Sequence, residues 1–480
     1  MADLEEGAII SRRFPLVQTS KTRMIDDFSI SGVNDSTTSH NKIELHTIDS
    51  FCAMVRTFFE RRGSLGLDGR LLSKTYDLKS AYRQVPIRKS HLKFAYFSVF
   101  NHKLGVAQIY QLQTLPFGAT HSVYNFLRFS KVLHAIAVRG LYLMATNFYD
   151  DFILATQPGL VESAKHSMEL VFLLTGWLYA KDGKKATDFS QVCKALGVEF
   201  CFSRSEELLM EVYNTKQRVA DLTQHISSVL SKGTMGRHET LVLRGRLSFA
   251  DSFLHGRLGN LILKQLVEHA YSAKAELDSG LKVSLRLMSE RLQTGKPRAI
   301  GAVKPVTWFW YTDASYEPAT NSGGLGAVLV DQEGNCVEWF GIELNSDSDV
   351  CKLLNPTEKD TFIYELELAA YVLATYFWLS KIESGVQVAF GDNDSVRYAL
   401  IRGSAVGMTA NALLNFHIAN EASANLCTWY ARVPTESNIS DWPSRSASHP
   451  LLKPEYDVSQ IAALHWKSIL NIFEGSQTIN

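Results

Sequence analysis

Seven carboxylates fall into two groups whose settings suit phosphoryl-transfer chemistry. Asp77 follows the strand-like run Leu72–Tyr76 and precedes the turn Leu78-Lys-Ser-Ala-Tyr82. Asp150 and Asp151 stand side by side in Asn147-Phe-Tyr-Asp-Asp-Phe152, with apolar residues on both flanks. Adjacent carboxylates at a buried sheet repel each other and are costly to desolvate. A divalent cation removes that cost, and an all-oxygen Mg²⁺ site suits aspartate. Two such ions ~4 Å apart would clamp the attacking and leaving oxygens of a phosphoryl transfer. An Asp-Asp pair is also a common solvated hairpin tip, so the pair alone does not decide. In the second group, Asp313 ends the run Trp308–Thr312 and Glu367 lies in Tyr364-Glu-Leu-Glu-Leu-Ala-Ala370. Asp392 follows Val386–Gly391, and Asp441 lies in Ser437-Asn-Ile-Ser-Asp-Trp-Pro-Ser-Arg445. Carboxylates at the ends of neighbouring strands, with one on a covering helix, can converge on a second two-metal pocket. Each of them alone could equally end a strand or cap a helix.

The elements that must position these groups change in kind along the chain. In the first 200 residues, Leu72–Tyr76, Lys93–Val99 and Leu141–Phe148 read as strands, Val123–Arg139 as a helix and Lys181–Lys185 as a turn. Residues 216–300 carry few strand signals. Asn214 or Thr215 caps a helix to about residue 230, and Glu239–Leu254 and Leu258–Ala275 look helical. Gly295-Lys-Pro297 and Pro305 mark a linker. Three strands follow (306–312, 324–331 and 336–340), then a long helix over 359–379. Alternating elements come next: strand 386–391, helices 395–401 and 410–424, and strand 426–433. That order predicts a compact mixed α/β domain. The tail after Pro450 is uninformative.

Length and composition bound the answer. The chain has 480 residues, 46% hydrophobic and 20% charged, with 30 Gly and 12 Pro. That composition disfavours disordered, collagenous and coiled-coil classes, and the length suggests about three domains. The longest nearly apolar run, Val171–Ala180, falls far short of the ~20 residues that span a bilayer. The acidic N-terminus lacks the order of a secretory signal. Six scattered Cys form no CxxC pair, which points away from disulfide or zinc scaffolds and toward a reducing, intracellular compartment, cytoplasmic or nuclear. The net charge of zero conceals a division: 24 Lys+Arg against 18 Asp+Glu over residues 1–203, 15 against 10 over 204–300, and 10 against 21 over 301–480. A basic front can hold a phosphate backbone even on a neutral chain.

The context of the first group resembles reverse transcriptases. Tyr76-Asp-Leu-Lys-Ser-Ala-Tyr-Arg-Gln-Val-Pro-Ile87 resembles their motif A, Leu115-Pro-Phe-Gly-Ala-Thr-His-Ser-Val-Tyr-Asn-Phe126 motif B and Phe148-Tyr-Asp-Asp151 motif C. Gly183-Lys-Lys185 is similar to motif D and Ala195-Leu-Gly-Val198 to the primer grip. Lys21-Thr-Arg-Met-Ile-Asp-Asp-Phe-Ser29 with Asn34 is similar to a fingers strand. Five matches in the family's order are far more specific than any one of them. The resemblance implies that Asp77 and Asp150 ligate metal with Asp151 in support, and that Tyr82 excludes a ribose 2′-hydroxyl. It implies that Phe117 and Gly118 line the nucleotide and template side, that Arg23 and Lys21 pair with triphosphate oxygens, and that Lys185 (or Lys184) is the general acid toward pyrophosphate. The chain departs from the pattern at Val123, where motif B has Pro, and at Phe148, where motif C often has Tyr. It also begins close to the first fingers strand, which leaves open a shortened fingers region.

The second group resembles ribonuclease H, with Asp313, Glu367, Asp392 and Asp441 as ligands of two Mg²⁺ and Asn438 orienting the last loop. Glu367 is preferred to Glu365 because Ala370 and Ala374 match small helix-packing positions. Asp392 is preferred to Asp394 because Val396-Arg397 then fall in register. The family's mobile-loop His has no counterpart here. Leu243-Arg-Gly-Arg-Leu-Ser-Phe-Ala250 with Gly256-Arg257 looks like the connection of DIRS-like retrotransposons and pararetroviruses. Together the resemblances imply an α+β and α/β multidomain chain with a right-hand polymerase fold. Fingers and palm would occupy residues 1–203 and a helical thumb/connection 204–304. A ribonuclease H-like mixed-sheet domain would span 305–448, with a tail over 449–480. The implied function is an RNA-directed DNA polymerase with fused ribonuclease H. It would take Mg²⁺ (two per site, Mn²⁺ as substitute), an RNA template, a DNA primer, dNTPs and an RNA–DNA hybrid, with no membrane partner. A decayed or domesticated copy, acting as a nucleic-acid-binding scaffold or as a nuclease only, is the alternative.

Overall fold

The computed structural model describes residues 4–17, 22–38, 42–272, 274–302, 306–320, 322–344, 349–355, 362–382, 386–424 and 426–445. The chain is a mixed α/β multidomain protein in two compact units, Met1–Tyr213 with Ala299–Ala302, and Asn214–Arg298 with Val303–Asn480.

In the first unit, β1 (Ile10–Val17), β2 (Thr22–Asp26), α1 (Ile48–Ser64), β3 (Leu72–Asp77), β4 (Tyr96–Asn101) and β5 (Val106–Gln111) come first. After them come α2 (Thr120–Ala135), β6 (Met144–Phe148), β7 (Asp151–Thr156), α3 (Val161–Thr175), β8 (Val192–Ala195), β9 (Val198–Cys201) and β10 (Leu209–Asn214). Three sheets result. One runs β2-β1-β4-β5 and one β3-β7-β6; β8–β10 share the third with a later strand. β7 is the central strand of its sheet and is apolar between its terminal Asp151 and Thr156, because both of its faces are covered: Phe152, Ile153, Leu154 and Ala155 are buried. α1 buries Phe51, Cys52, Val55 and Phe59, a spacing of one helical face. β8 and β9 turn through Leu196 and Gly197, both at positive φ, as a two-residue hairpin with right-handed strand twist requires. The expected helix 123–139 begins three residues earlier and closes in a wider turn at Ile136–Gly140. Residues 89–94 form a short 3-10 segment rather than the start of a strand.

The second unit opens with α4 (Lys216–Lys232), α5 (Arg237–Asp251), α6 (Leu258–Tyr271) and α7 (Ser279–Thr294). Thr215 Oγ1 accepts from Arg218 N at 3.3 Å and starts α4. Our sequence reading has no helix at 279–294. Yet Leu281, Leu285, Met288 and Leu292 repeat at helical spacing and face the four-helix core. Asp251 and Arg291 form a buried ion pair at 2.7 Å inside this bundle. The expected linker supplies a strand, β11 (Arg298–Gly301), whose residues from Ala299 belong to the first unit and which lies beside β10 in its third sheet.

β12 (Trp308–Glu317), β13 (Ser322–Val330) and β14 (Cys336–Leu344) form an antiparallel meander. α8 (Asp349–Leu354), α9 (Ile363–Phe377), α10 (Leu379–Ile382), β15 (Val386–Gly391), α11 (Asp394–Arg402), α12 (Met408–Ser423), β16 (Cys427–Arg432) and α13 (Asp441–Ser444) complete the chain's described elements. β15 and β16 add in parallel, so the sheet runs β14-β13-β12-β15-β16. Twelve of the residues of α9 are buried, which explains its nearly unbroken apolar sequence.

Arg257 ties the helical segment to this sheet. Its guanidinium pairs with Glu421 of α12, donates to Tyr430 Oη at 3.0 Å and bonds the Leu400 carbonyl. Tyr430 Oη donates to Glu421 Oε1 at 2.6 Å and meets His417 Nε2 at 2.6 Å. Burial, joined by the charge of Arg257, outweighs Glu421 and lowers the His417 imidazole to about 4. The folded chain therefore rejects a proton that the unfolded chain accepts near pH 6.5. Stability is complete above that value and falls as pH drops toward 4, with a slope approaching about 1.4 kcal/mol per pH unit. Urea unfolding between pH 7 and 5 should show this decline, blunted in His417→Gln; equal slopes in both proteins would contradict the assignment.

Candidate functional site

The first carboxylate group is assembled by strand pairing. Asp77, the last residue of β3, stands directly across from Asp151, the first of β7. Phe148 pairs with Asp151, so Tyr149 and Asp150 form a two-residue turn. Tyr149 adopts φ +53°, a left-handed conformation that costs a bulky residue energy and needs outside support. That support comes from α2. Ser130 Oγ donates to the Tyr149 carbonyl at 2.5 Å and accepts from Asn147 Nδ2 at 2.9 Å. Leu78 N donates to the Asp150 carbonyl at 3.1 Å, which ties the turn to the end of β3. Burial, then the charges of Asp150 and Asp77, push the Asp151 carboxyl up to about 6. Lys185, in the short turn Gly183–Lys185, forms an ion pair with Asp77 Oδ1.

An aromatic wall borders this group. Tyr82 packs edge-on against Phe117 and Phe126, with ring centroids 5.1 and 4.9 Å apart. Burial raises its phenol to about 12, so it stays neutral. Gly118 follows at φ +100°, and a Cβ there would strike the Asp26 carbonyl. Asn34 holds that loop from both sides: Nδ2 donates to the Gly118 carbonyl at 3.0 Å, and Oδ1 accepts from Thr120 N at 2.9 Å. Arg23 lies in β2 opposite Leu16, and its side chain is outside the described residues, as is that of Lys184. Lys21 is also outside the described residues.

The second group converges more tightly. One ligand oxygen from each of Asp313, Glu367 and Asp392 lies within 4.8 Å of the others, the one such grouping among the described residues. Asp313 is not at a strand end, as expected, but inside β12, which continues pairing with β13 through Glu317. Gly326 opposes it, and the glycines of β13 leave room for backbone to approach from above the sheet. Glu367 projects from α9, 5% exposed, and its Oε2 has no hydrogen-bond partner. Burial, then Asp313 and Asp392, raise its carboxyl well above the usual range. Burial raises Asp313 to about 6, against the bond it accepts from Ser444. Asp392 Oδ2 accepts from Thr435 Oγ1 at 2.7 Å. Asp394 instead pairs with Arg397 and Arg432, at 2.8 and 3.1 Å.

Asp441 stands apart from the trio. It pairs with Arg445 at 2.6 Å, though its charge still reaches Asp313. Asn438, expected to orient this loop, is buried and donates to the Thr312 carbonyl at 3.1 Å. Sequence reasoning missed Ser130, Asn147, Thr435 and Ser444. No spacing rule marks a lone hydroxyl, and only the contacts reveal them. The oxygen-only donor set and the unpartnered, buried Glu367 oxygen fit a hard divalent cation. No helix among the described residues is long and apolar enough to cross a membrane.

No family model matches the chain, and no curated protein matches it by sequence. Solved structures to which the chain is similar include foamy viral protease-reverse transcriptases. One, the dRH form in complex with double-stranded DNA, is 12% identical with a TM-score of 0.48; the match covers 88% of this chain and 66% of that one. Another, in complex with RNA/DNA hybrid, is 12% identical with a TM-score of 0.45, covering 92% and 74%. A third, in complex with double-stranded DNA, is 14% identical with a TM-score of 0.46, covering 88% and 78%. The chain thus spans 66% of the length of the first of these.

Two outcomes follow from the geometry. Ser130→Ala strands the Asn147 amide and the Tyr149 carbonyl, and should lower unfolding free energy by about 1–3 kcal/mol in urea titrations; no change would show the turn to be self-supporting. Glu367→Gln replaces a buried acid that faces two others with a neutral amide. It should raise the metal-free melting temperature and reduce the rise that Mg²⁺ produces in the wild type. A larger Mg²⁺-induced rise in the variant would contradict the trio as a cation site.

Proposed function

We propose that the chain is an RNA-directed DNA polymerase with a fused ribonuclease H. Residues 1–203 would serve as fingers and palm, 204–304 as thumb/connection and 305–448 as nuclease. The observation that carries this reading is the paired construction of the carboxylates. Asp77 and Asp151 face each other across a sheet beside the Asp150 turn, and ligand oxygens of Asp313, Glu367 and Asp392 converge within 4.8 Å of one another. Asp77, Asp150 and Asp151 would hold Mg²⁺ in the polymerase, and Asp313, Glu367 and Asp392, with Asp441 at the rim, in the nuclease. Bound Mg²⁺, two per site with Mn²⁺ as substitute, supplies Lewis acidity toward the attacking and leaving oxygens of phosphoryl transfer.

The chain's own groups do the rest. Tyr82, rigidly packed between two phenylalanines, walls the sugar edge of an incoming dNTP and leaves no room for a 2′-hydroxyl. Gly118 lets the backbone approach the template–nucleotide pair. Arg23 and Lys21 would pair with the triphosphate by charge-assisted bonds. Lys185 would carry the proton to the leaving pyrophosphate after parting from Asp77. The basic helical segment would hold primer–template by its phosphates, without reading sequence. In the nuclease, the buried carboxylates orient the RNA phosphodiester of a hybrid.

A nuclease-only reading has one observation in its favour. Ligand oxygens converge at Asp313, Glu367 and Asp392, whereas Asp77 is engaged by Lys185. Primer extension on an RNA template with dNTPs and Mg²⁺, beside labelled-RNA cleavage in a hybrid, separates the two. The main reading expects extension that disappears in Asp150→Asn/Asp151→Asn, and cleavage that drops at least ~100-fold in Asp392→Asn. Cleavage without extension leaves the nuclease alone. Binding of hybrid with neither activity leaves a scaffold.

A further inference from the structure

α13 is only four residues long, yet it is seated on the sheet more tightly than its length requires. It rests on glycines. A Cβ at Gly324 would strike the Ser444 carbonyl, one at Gly326 would strike Ser444 N and come within 2.7 Å of the Ser440 carbonyl, and one at Gly341 would lie 2.6 Å from the Pro443 carbonyl. Side chains fasten it from both ends. Ser315 Oγ donates to the Ser444 carbonyl at 2.6 Å, and Asn438 is braced by the Thr312 carbonyl and by Ser440 Oγ at 2.6 Å. Ser440 and Ser444 are fully buried. From this seat Ser444 Oγ donates to Asp313 Oδ2 at 2.5 Å. Three glycines are thus spent on bringing one hydroxyl against one carboxylate of the trio.

We propose that Ser444 is a positioning residue for the cation site, fixing the rotation of the Asp313 carboxylate so that the trio is set before a cation arrives. The proposal rests on the metal-site reading above. A carboxylate on a single Cα–Cβ–Cγ stem turns freely unless one oxygen is held. Without the bond, Asp313 turns away from Glu367 and Asp392 to escape their charge. A donor on one oxygen opposes that rotation and leaves the acid anionic. Such outer contacts to ligating carboxylates commonly change metal affinity by about 10–100-fold when lost. Asp441 shares the benefit, because the same four residues carry it to the rim of the site.

The test uses the full chain in an Asp150→Asn/Asp151→Asn background, so that Mn²⁺ binding reports the second group. Mn²⁺ affinity is read by electron paramagnetic resonance, without any reaction. Ser444→Ala should weaken Mn²⁺ binding about tenfold, and Ser444→Cys, a near-isosteric but weaker donor, should fall between. Ser315→Ala removes an anchor of α13 but no bond to Asp313. It should lower the melting temperature while leaving Mn²⁺ affinity within about twofold. In an Asp313→Asn background the Ser444→Ala change should have no further effect. Equal Mn²⁺ affinity in wild type, Ser444→Ala and Ser444→Cys overturns the proposal, as does an equal loss in Ser315→Ala. Wild-type protein that binds Mn²⁺ but cleaves no hybrid overturns the nuclease reading alone, and the Ser444 comparison still stands.

Discussion

Drawing carboxylates out of water and close to one another is the constraint on which this structure turns. Folding must bring acids together that would separate if they were free, and must do so where water cannot shield them. Both groups show the cost in the same way. Burial and neighbouring charge raise Asp151 and Asp313 each to about 6, and raise Glu367 well above the usual carboxylate range. Neither group is relieved by a full set of basic partners. Lys185 reaches Asp77, Arg445 reaches Asp441, and Glu367 keeps a buried oxygen with no partner at all. A protein selected only for stability would place amides or apolar groups there. Electrostatic strain persists at two separate places, and the cations proposed above would relieve it at each.

The rest of each unit holds that strain in place. In the first, an apolar central strand fixes the register that sets Asp77 against Asp151, and Ser130 of α2 holds Tyr149 at an unfavourable φ. In the second, the sheet places Asp313 within β12 and Asp392 just past the end of the adjacent parallel β15, and the apolar α9 delivers Glu367 to the same spot. Local backbone devices recur where space is shortest. Gly118 admits the Asp26 carbonyl, and the glycines of β13 and β14 admit α13. The Arg257–Glu421–Tyr430–His417 network shows the contrasting case, in which a buried acid is fully paired and its carboxyl stays low. Glu421 is satisfied on both oxygens, whereas Glu367 keeps one buried oxygen without a partner.

Much of this was legible in the residues. Acids after strand-like runs, with aromatic neighbours in a recurring order, marked the candidate groups, of which the structure brings Asp313, Glu367 and Asp392 together and leaves Asp441 apart. The choice between Asp392 and Asp394 is mirrored in their surroundings, since Asp394 is taken up by two arginines. Period-2 and helical patterns located most elements of the second unit. Boundaries were less legible. β12 runs five residues past Thr312 because pairing with a glycine-rich partner sustains it, something no single-strand pattern encodes. α7 was missed although its leucines repeat regularly, because flanking Ser, Gly and Lys residues masked the period. Contacts between residues far apart in sequence, such as Ser444 with Asp313 or Ser130 with Tyr149, have no local signal.

Whether both groups take cations when nucleic acid is present is the central question about this molecule. A crystal of the full chain with RNA/DNA hybrid, soaked in Mn²⁺ and measured at the manganese absorption edge, answers this by position. The account predicts anomalous peaks at Asp77, Asp150 and Asp151 and at Asp313, Glu367 and Asp392, with Lys185 moved off Asp77. Absence of a peak at either group, with Lys185 still on Asp77 and Glu367 still unpartnered, would contradict it.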